Sequence, residues 1–180
     1  MIAGSISRRY AKALLQLGIE HKNFEALGRE LARVVETVQG SRDLRTVLDS
    51  PVFPLSQRKA VLGEILARLG VSKTIEHFCQ LVLDHNRFPA MPAIGREMQN
   101  LVDEQAGRVR ALVTSAKLLR DPEALRIKTA LERRTGKQVI LERKEDAGLL
   151  GGIVVQIGDV VYDGSVRNQL ARIQEQLLSE

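Results

Sequence analysis

The apolar residues of this chain change their spacing at Gly107. Before it they recur every three or four positions, the period of a helix with one buried face. After it they form short alternating or continuous runs rich in Val and Ile, the period of strands. The two patterns belong to different layer types. The expected class is therefore α+β with two domains: an all-α bundle of six helices over residues 1–105, then a small α/β domain over 106–180. A length of 180 residues suits two modest cores.

Helix signals divide the first part. Ile6, Tyr10, Leu14 and Leu17 make a stripe on a first helix, with Ser5 or Ser7 as its cap. Asn23 opens a second, carrying Leu27, Leu31, Val34, Val35 and Val38, and Gly40 ends it. Residues 42–49 suit a short third helix stopped by Pro51 and Pro54. Ser56 is the expected cap of a fourth, with Val61, Leu62, Ile65 and Leu69 inward and Gly70 at its end. Ser72 caps a fifth with Ile75, Phe78, Cys79 and Val82, and Pro89 and Pro92 precede a last helix holding Ile94, Met98 and Leu101. The second part reads strand-helix-strand-strand-strand-helix. Strands are expected over 108–114, 138–142, 152–157 and 160–162. Asp121-Pro122-Glu123 starts a helix that Gly136 stops. Gly158-Asp159 suits a two-residue hairpin turn. Ser165 caps a final helix with Val166, Leu170, Ile173 and Leu177.

Two helices are broader than a bundle needs. The first has a second apolar line, Ala11, Leu15 and Ile19, about 140° from the Ile6–Leu17 stripe at 100° per residue. The fifth adds Leu81 and Leu83. A helix apolar most of the way round is either central in its bundle or offers a groove to a partner, and the residues alone leave both open.

The search for chemistry finds no constellation. His77, Asp84 and His85 share one helix face, but the histidines are two turns apart, His21 is remote and Cys79 points elsewhere, so no metal site is expected. No phosphate-binding glycine loop, dinucleotide fingerprint or nucleophile elbow occurs, and no cofactor is expected. Gly151-Gly152 precedes a strand rather than a helix N-terminus. Cys79 is the sole cysteine, so no intramolecular disulfide forms. No apolar run approaches the ~18–20 residues that cross a bilayer. Residues 1–19 are basic and free of acids, like a transit peptide, yet the stripe continues without a cleavage-like break and reads as a structural helix. The net charge of +5 is spread along the chain with acids interleaved, whereas nucleic-acid binders concentrate theirs. A basic RNA-binding module, drawn from the pI of about 9.7, is the alternative reading. With aromatics at only 3% and no tryptophan, stacking platforms have little material. The expectation is a protein that holds other proteins.

The stretch from Leu149 to Arg167, with Gly151-Gly152, Gly158-Asp159 and Asp163-Gly164-Ser165 punctuating two strands and a helix start, resembles the signature of the delta subunit of F-type ATP synthases. The mitochondrial members of that family are the oligomycin-sensitivity-conferring proteins. Arg9-Tyr10-Ala11-Lys12-Ala13-Leu14 and Asn86-Arg87 before two prolines are similar to the family as well, and the resemblance spans the whole chain. It implies a non-catalytic stator subunit at the cytoplasmic face of the cell (inner) membrane, held there through partners and binding no nucleic acid. It further implies that the helical domain takes the N-terminal helix of an alpha subunit into a groove between its first and fifth helices. Tyr10, Ala11, Leu14 and Leu15, with Phe78, Leu81, Val82 and His85, are the expected lining. The second domain is implied to meet the b subunits of the peripheral stalk, through its terminal helix and neighbours. Gly151, Gly152, Gly158, Asp163, Gly164 and Ser165 are expected to serve the fold.

Overall fold

The computed structural model describes residues 2–158 and 160–170. The chain divides into two compact units, Met1–Val102 and Asp103–Glu180. The helices are α1 (Ile2–Glu20), α2 (Phe24–Gly40), α3 (Arg42–Asp49), α4 (Leu55–Leu69), α5 (Lys73–Asp84) and α6 (Met91–Gln105), with a 3-10 turn at Phe88–Ala90. They are followed by β1 (Arg108–Ser115), α7 (Asp121–Thr135), β2 (Gln138–Glu145), β3 (Ile153–Ile157) and β4 (Val160–Asp163).

The first unit is closed around α2, whose Leu27, Leu31, Val34 and Val38 are buried. Leu48 of α3, Leu62 and Leu66 of α4, and Ile75, Cys79, Val82 and Leu83 of α5 pack there, with Phe88, Met91, Ile94 and Met98 completing the core. Each such aliphatic side chain stabilises the unit by roughly 1.5–3 kcal/mol over its exposed state. Gly70 ends α4 in the left-handed conformation.

Several helix starts differ from the sequence reading. The first helix already runs from Ile2, and Ser7 lies inside it at 1% exposure, so neither Ser5 nor Ser7 caps it. The N-cap of α4 is Pro54, whose carbonyl accepts from Gln57 and Arg58, and Ser56 falls in the first turn. Pro92 does not precede α6 but sits at its second position, where its missing N–H costs no helical bond. Ser72 does occupy the N-cap of α5, yet its hydroxyl donates to Glu30 Oε2 at 2.6 Å instead of accepting from its own helix.

The second unit is a four-stranded mixed sheet in the order β2-β1-β3-β4. β1 pairs parallel with β2, in register Arg108↔Gln138 through Ser115↔Glu145, and antiparallel with β3. β3 and β4 form a hairpin in which Ile157 pairs with Val160 across Gly158 and residue 159. α7 crosses over between the parallel strands, as such a pair requires. Its Ile127 and Leu131 pack on Ala111, Val113, Val139 and Val155. Arg120, not Asp121, is the N-cap of α7; its N–H donates to Glu123 Oε2 at 3.1 Å and its guanidinium to Glu123 Oε1 at 2.7 Å. β2 extends three residues beyond the expected strand, to Glu145.

The glycine-rich run is a structural knot. Gly152 has φ +80°, and a Cβ there would lie 2.3 Å from the Gly164 carbonyl oxygen. The Gly164 N–H donates to Ile153 O and the Val166 N–H to Gly151 O. Asp163 Oδ1 accepts from the Ser165 N–H at 2.8 Å. Ser165, buried, accepts from the Asn168 N–H at 3.2 Å and caps the helix of residues 166–170. Asp159 of the hairpin turn, and Ile173 and Leu177 of the last stripe, lie outside the described residues.

Candidate partner-binding site

The buried face of α1 is built from small residues: Ser7, Ala11 and Gly18, with Leu14. At 100° per residue these positions fall within one narrow sector. Ile6, Tyr10 and Leu17 lie in the neighbouring sector. Tyr10 and Ile6 are half-buried, and Leu17 is 42% exposed. On α5 the core face is Ile75, Cys79, Val82 and Leu83, all at 0% exposure. Phe78 is half-buried beside it, and Leu81, 48% exposed, and His85, exposed, lie further round.

The two flanks meet. The rings of Tyr10 and Phe78 stand edge to face, with centroids 6.2 Å apart and planes at 75°. This contact bridges α1 and α5 in a favoured aromatic geometry. The result is a shallow apolar strip formed by Ile6, Tyr10 and Leu17 on one side and Phe78 and Leu81 on the other.

Of the eight residues expected to line a groove, the structure brings Tyr10 and Phe78 together and leaves Leu81 and His85 reachable. Ala11, Leu14 and Val82 are fully buried and form the floor beneath the strip without reaching its surface. Leu15 lies five positions, and so about 140°, round α1 from Tyr10, packed against the core on the far flank. Leu17, a member of the first stripe but not among the eight, is exposed on the same flank of α1 as Tyr10. Its signal was its i+7 spacing from Tyr10.

The surroundings hold no titration device. Cys79 is deep in the core, where burial pushes its thiol up to about 12, so it is not a nucleophile. Among the described residues no three His, Cys, Asp or Glu side chains gather as metal ligands. His85 closes α5, whose Asp84 pairs with Lys59 Nζ at 2.6 Å.

In the second unit an open cleft of about 500 Å³ runs between α7 and β2, lined by Arg108, Asp121, Leu125, Lys128, Leu141 and Arg143. Its charges are mutually engaged: Arg143 donates to Asp121 at 2.8 Å, and Arg108 and Lys128 face Asp103 and Glu132. Leu150, Val160, Val161, Tyr162, Val166 and Leu170 are exposed around β4 and the start of the last helix. Leu150 adjoins Gly151, whose carbonyl accepts from Val166. Among the described residues no helix is long and apolar enough to cross a membrane.

Comparison with known proteins finds relatives along nearly the whole chain. The family model described as "ATP synthase delta (OSCP) subunit" matches residues 6–177. An ATP synthase subunit delta from Trichlorobacter lovleyi is 41% identical over 175 residues, covering 97% of both chains. One from an Anaeromyxobacter species is 43% identical over 177 residues, covering 98% of this chain and 99% of the relative. A chain in the Toxoplasma gondii mitochondrial ATP synthase hexamer superposes with a TM-score of 0.74 at 23% identity, covering 96% of this chain and 97% of that one. At that identity the likeness concerns the fold.

Proposed function

This chain belongs to the ATP synthase delta (OSCP) subunit family, and on that premise we propose that the α1–α5 strip is the seat of one amphipathic partner helix. The chain is a peripheral-stalk subunit of an F-type ATP synthase, a structural stator part and not a catalytic one. The partner helix is the N-terminus of an alpha subunit, received by the first unit acting as a six-helix bundle. Tyr10, Leu17, Phe78 and Leu81 make its apolar contacts, and His85 stands at one end. The exposed apolar residues around β4 and residues 166–170 of the second unit take the C-terminal ends of the b subunits. The complex works at the cytoplasmic face of the cell membrane, to which this subunit is held through those partners. The stalk then keeps the alpha–beta head from turning with the rotor, so that torque is used in ATP synthesis.

One observation carries the groove assignment. Large apolar side chains of two helices flank one another at the surface, joined by the Tyr10–Phe78 contact, and Leu17 and Leu81 remain 42% and 48% exposed there. Exposed apolar side chains flanking one another on two helices fit helix-in-groove recognition by i, i+3, i+4 and i+7 anchors. The test is calorimetric titration of the full chain with a synthetic peptide copying the alpha-subunit N-terminus from the same source. Saturable binding at one site is expected. No heat and no chemical-shift change at Tyr10, Phe78 or Leu81 would overturn the assignment.

A further inference from the structure

The helix that carries Phe78 and Leu81 is held at both ends by polar side chains from other helices. At its start, Glu30 Oε2 of α2 accepts from the Ser72 N–H at 2.9 Å and the Ser72 hydroxyl at 2.6 Å. At its end, α4 supplies two neighbours. Lys59 pairs with Asp84 at half-exposed positions, where an ion pair contributes little. Arg58 is different, because its guanidinium is buried, with the whole residue only 2% exposed.

Arg58 Nη1 donates to Asn86 Oδ1 at 3.0 Å. Its Nε donates to the Leu48 carbonyl at 3.1 Å, and Nη2 donates to the same oxygen. Leu48 O is one of the last carbonyls of α3, a group its own helix leaves unpaired. Asn86 comes next after His85, the C-cap of α5, and sits at φ +52°, a left-handed conformation that Asn tolerates better than most residues. Its N–H donates to Leu83 O, and the next N–H, of Arg87, donates to Val82 O. One buried cation thus ties α3, α4 and the turn that ends α5. Burying a guanidinium carries a desolvation cost that an apolar side chain of similar volume would avoid.

We propose that Arg58 is a positioning residue for the partner groove: through Asn86 it fixes the last turn of α5, and so holds Leu81 and Phe78 in register with Tyr10. The inference rests on the groove reading above, since it concerns the rim of that groove.

Two variants of the full chain test it. Arg58→Met removes both links. Asn86→Gly removes only the Asn86 oxygen and keeps a residue at home at positive φ. The readouts are the affinity for the alpha N-terminal peptide, measured well below the unfolding midpoint, and amide hydrogen exchange. For Asn86→Gly the affinity is expected to fall about three- to thirtyfold. Exchange at residues 81–87 is expected to accelerate, while amides of α2 stay protected. Affinities within twofold of the parent in both variants, with a lowered unfolding midpoint alone, would show Arg58 to be purely structural and overturn the proposal. If the unsubstituted chain binds no peptide, the groove reading fails, and the exchange arm still decides the clasp. Unchanged protection at 81–87 in Asn86→Gly would overturn it in that case too.

Discussion

Gly152 sits where two constraints meet in one residue. Its φ of +80° is costly for any side chain, and its missing Cβ is what admits the Gly164 carbonyl at 2.3 Å. Gly152→Ala is expected to destabilise the second unit by about 2–4 kcal/mol, read as a lower urea midpoint for its sheet. Gly158, at φ +55° with open space around its Cβ, has the backbone penalty alone, so Gly158→Ala is expected to cost only about 1–2 kcal/mol. Equal losses at both sites would deny the close approach. Asp49 offers a pH test. Burial raises its carboxyl above the ordinary range, against the opposing pull of Arg58 and Arg45. The folded state therefore binds more protons than the unfolded one just above the ordinary carboxylate pKa. Stability contributed at Asp49 is present at lower pH and falls as pH rises through the raised value. Asp49→Asn is expected to flatten that slope in a pH series of thermal midpoints; an unchanged slope would refute the assignment. The sequence made the importance of the glycine run readable. It did not reveal why each glycine is there, because the carbonyl facing Gly152 comes from the turn at Gly164, which only the fold brings close.

Leu81 and Val82 are adjacent in sequence and about 100° apart on α5, which separates surface from core. Leu81→Asp places a charge on a residue 48% exposed. It is expected to weaken binding of the alpha N-terminal peptide at least about tenfold while helical circular dichroism is kept. Val82→Asp buries an unpaired carboxylate at a position with 0% exposure and is expected to unfold the first unit. If Leu81→Asp unfolds the chain instead, Leu81 is core and the strip is misassigned. The approximate limits of α2 were legible from periodicity, because its Leu27, Leu31, Val34 and Val38 recur on one buried face. The rotation of α1 was not. A reading by size turns Ile6, Tyr10 and Leu17 inward, yet α1 approaches its neighbours closely through small residues. A Cβ at Gly18 would come within 2.6 Å of the Phe24 Cα. Close helix approach favours small residues at the contact and displaces the large ones to its flanks, where Leu17 stays exposed.

In the proposed assignment the subunit carries load in series, from the head through one unit, then the other, to the stalk. The family is one in which the subunit is a structural stator part and not a catalytic one. That role could be read from the sequence through the resemblance at residues 149–167, while the change of period at Gly107 falls a few residues past the division between the compact units, which lies at 102/103 and not at the expected 105/106. The partners' own surfaces are not encoded in this chain's periodicity, so periodicity alone does not say which exposed residues they meet. A series linkage has a distinctive consequence for the assembled enzyme. Weakening the first-unit contact by Leu81→Asp, or the second-unit contact by Val161→Asp at an exposed β4 position, breaks the same path. Each variant is expected to lower ATP synthesis by membranes severalfold while ATP hydrolysis by the head continues, since hydrolysis needs no stator. The double variant is expected to lose about the product of the two single losses, because the path is coupled only while both contacts are engaged. Measured with membranes carrying the variant complex, single variants that each keep nearly full synthesis while the double variant collapses would mean that the two contacts act in parallel on the head, and the assignment of one unit to each partner would have to be abandoned.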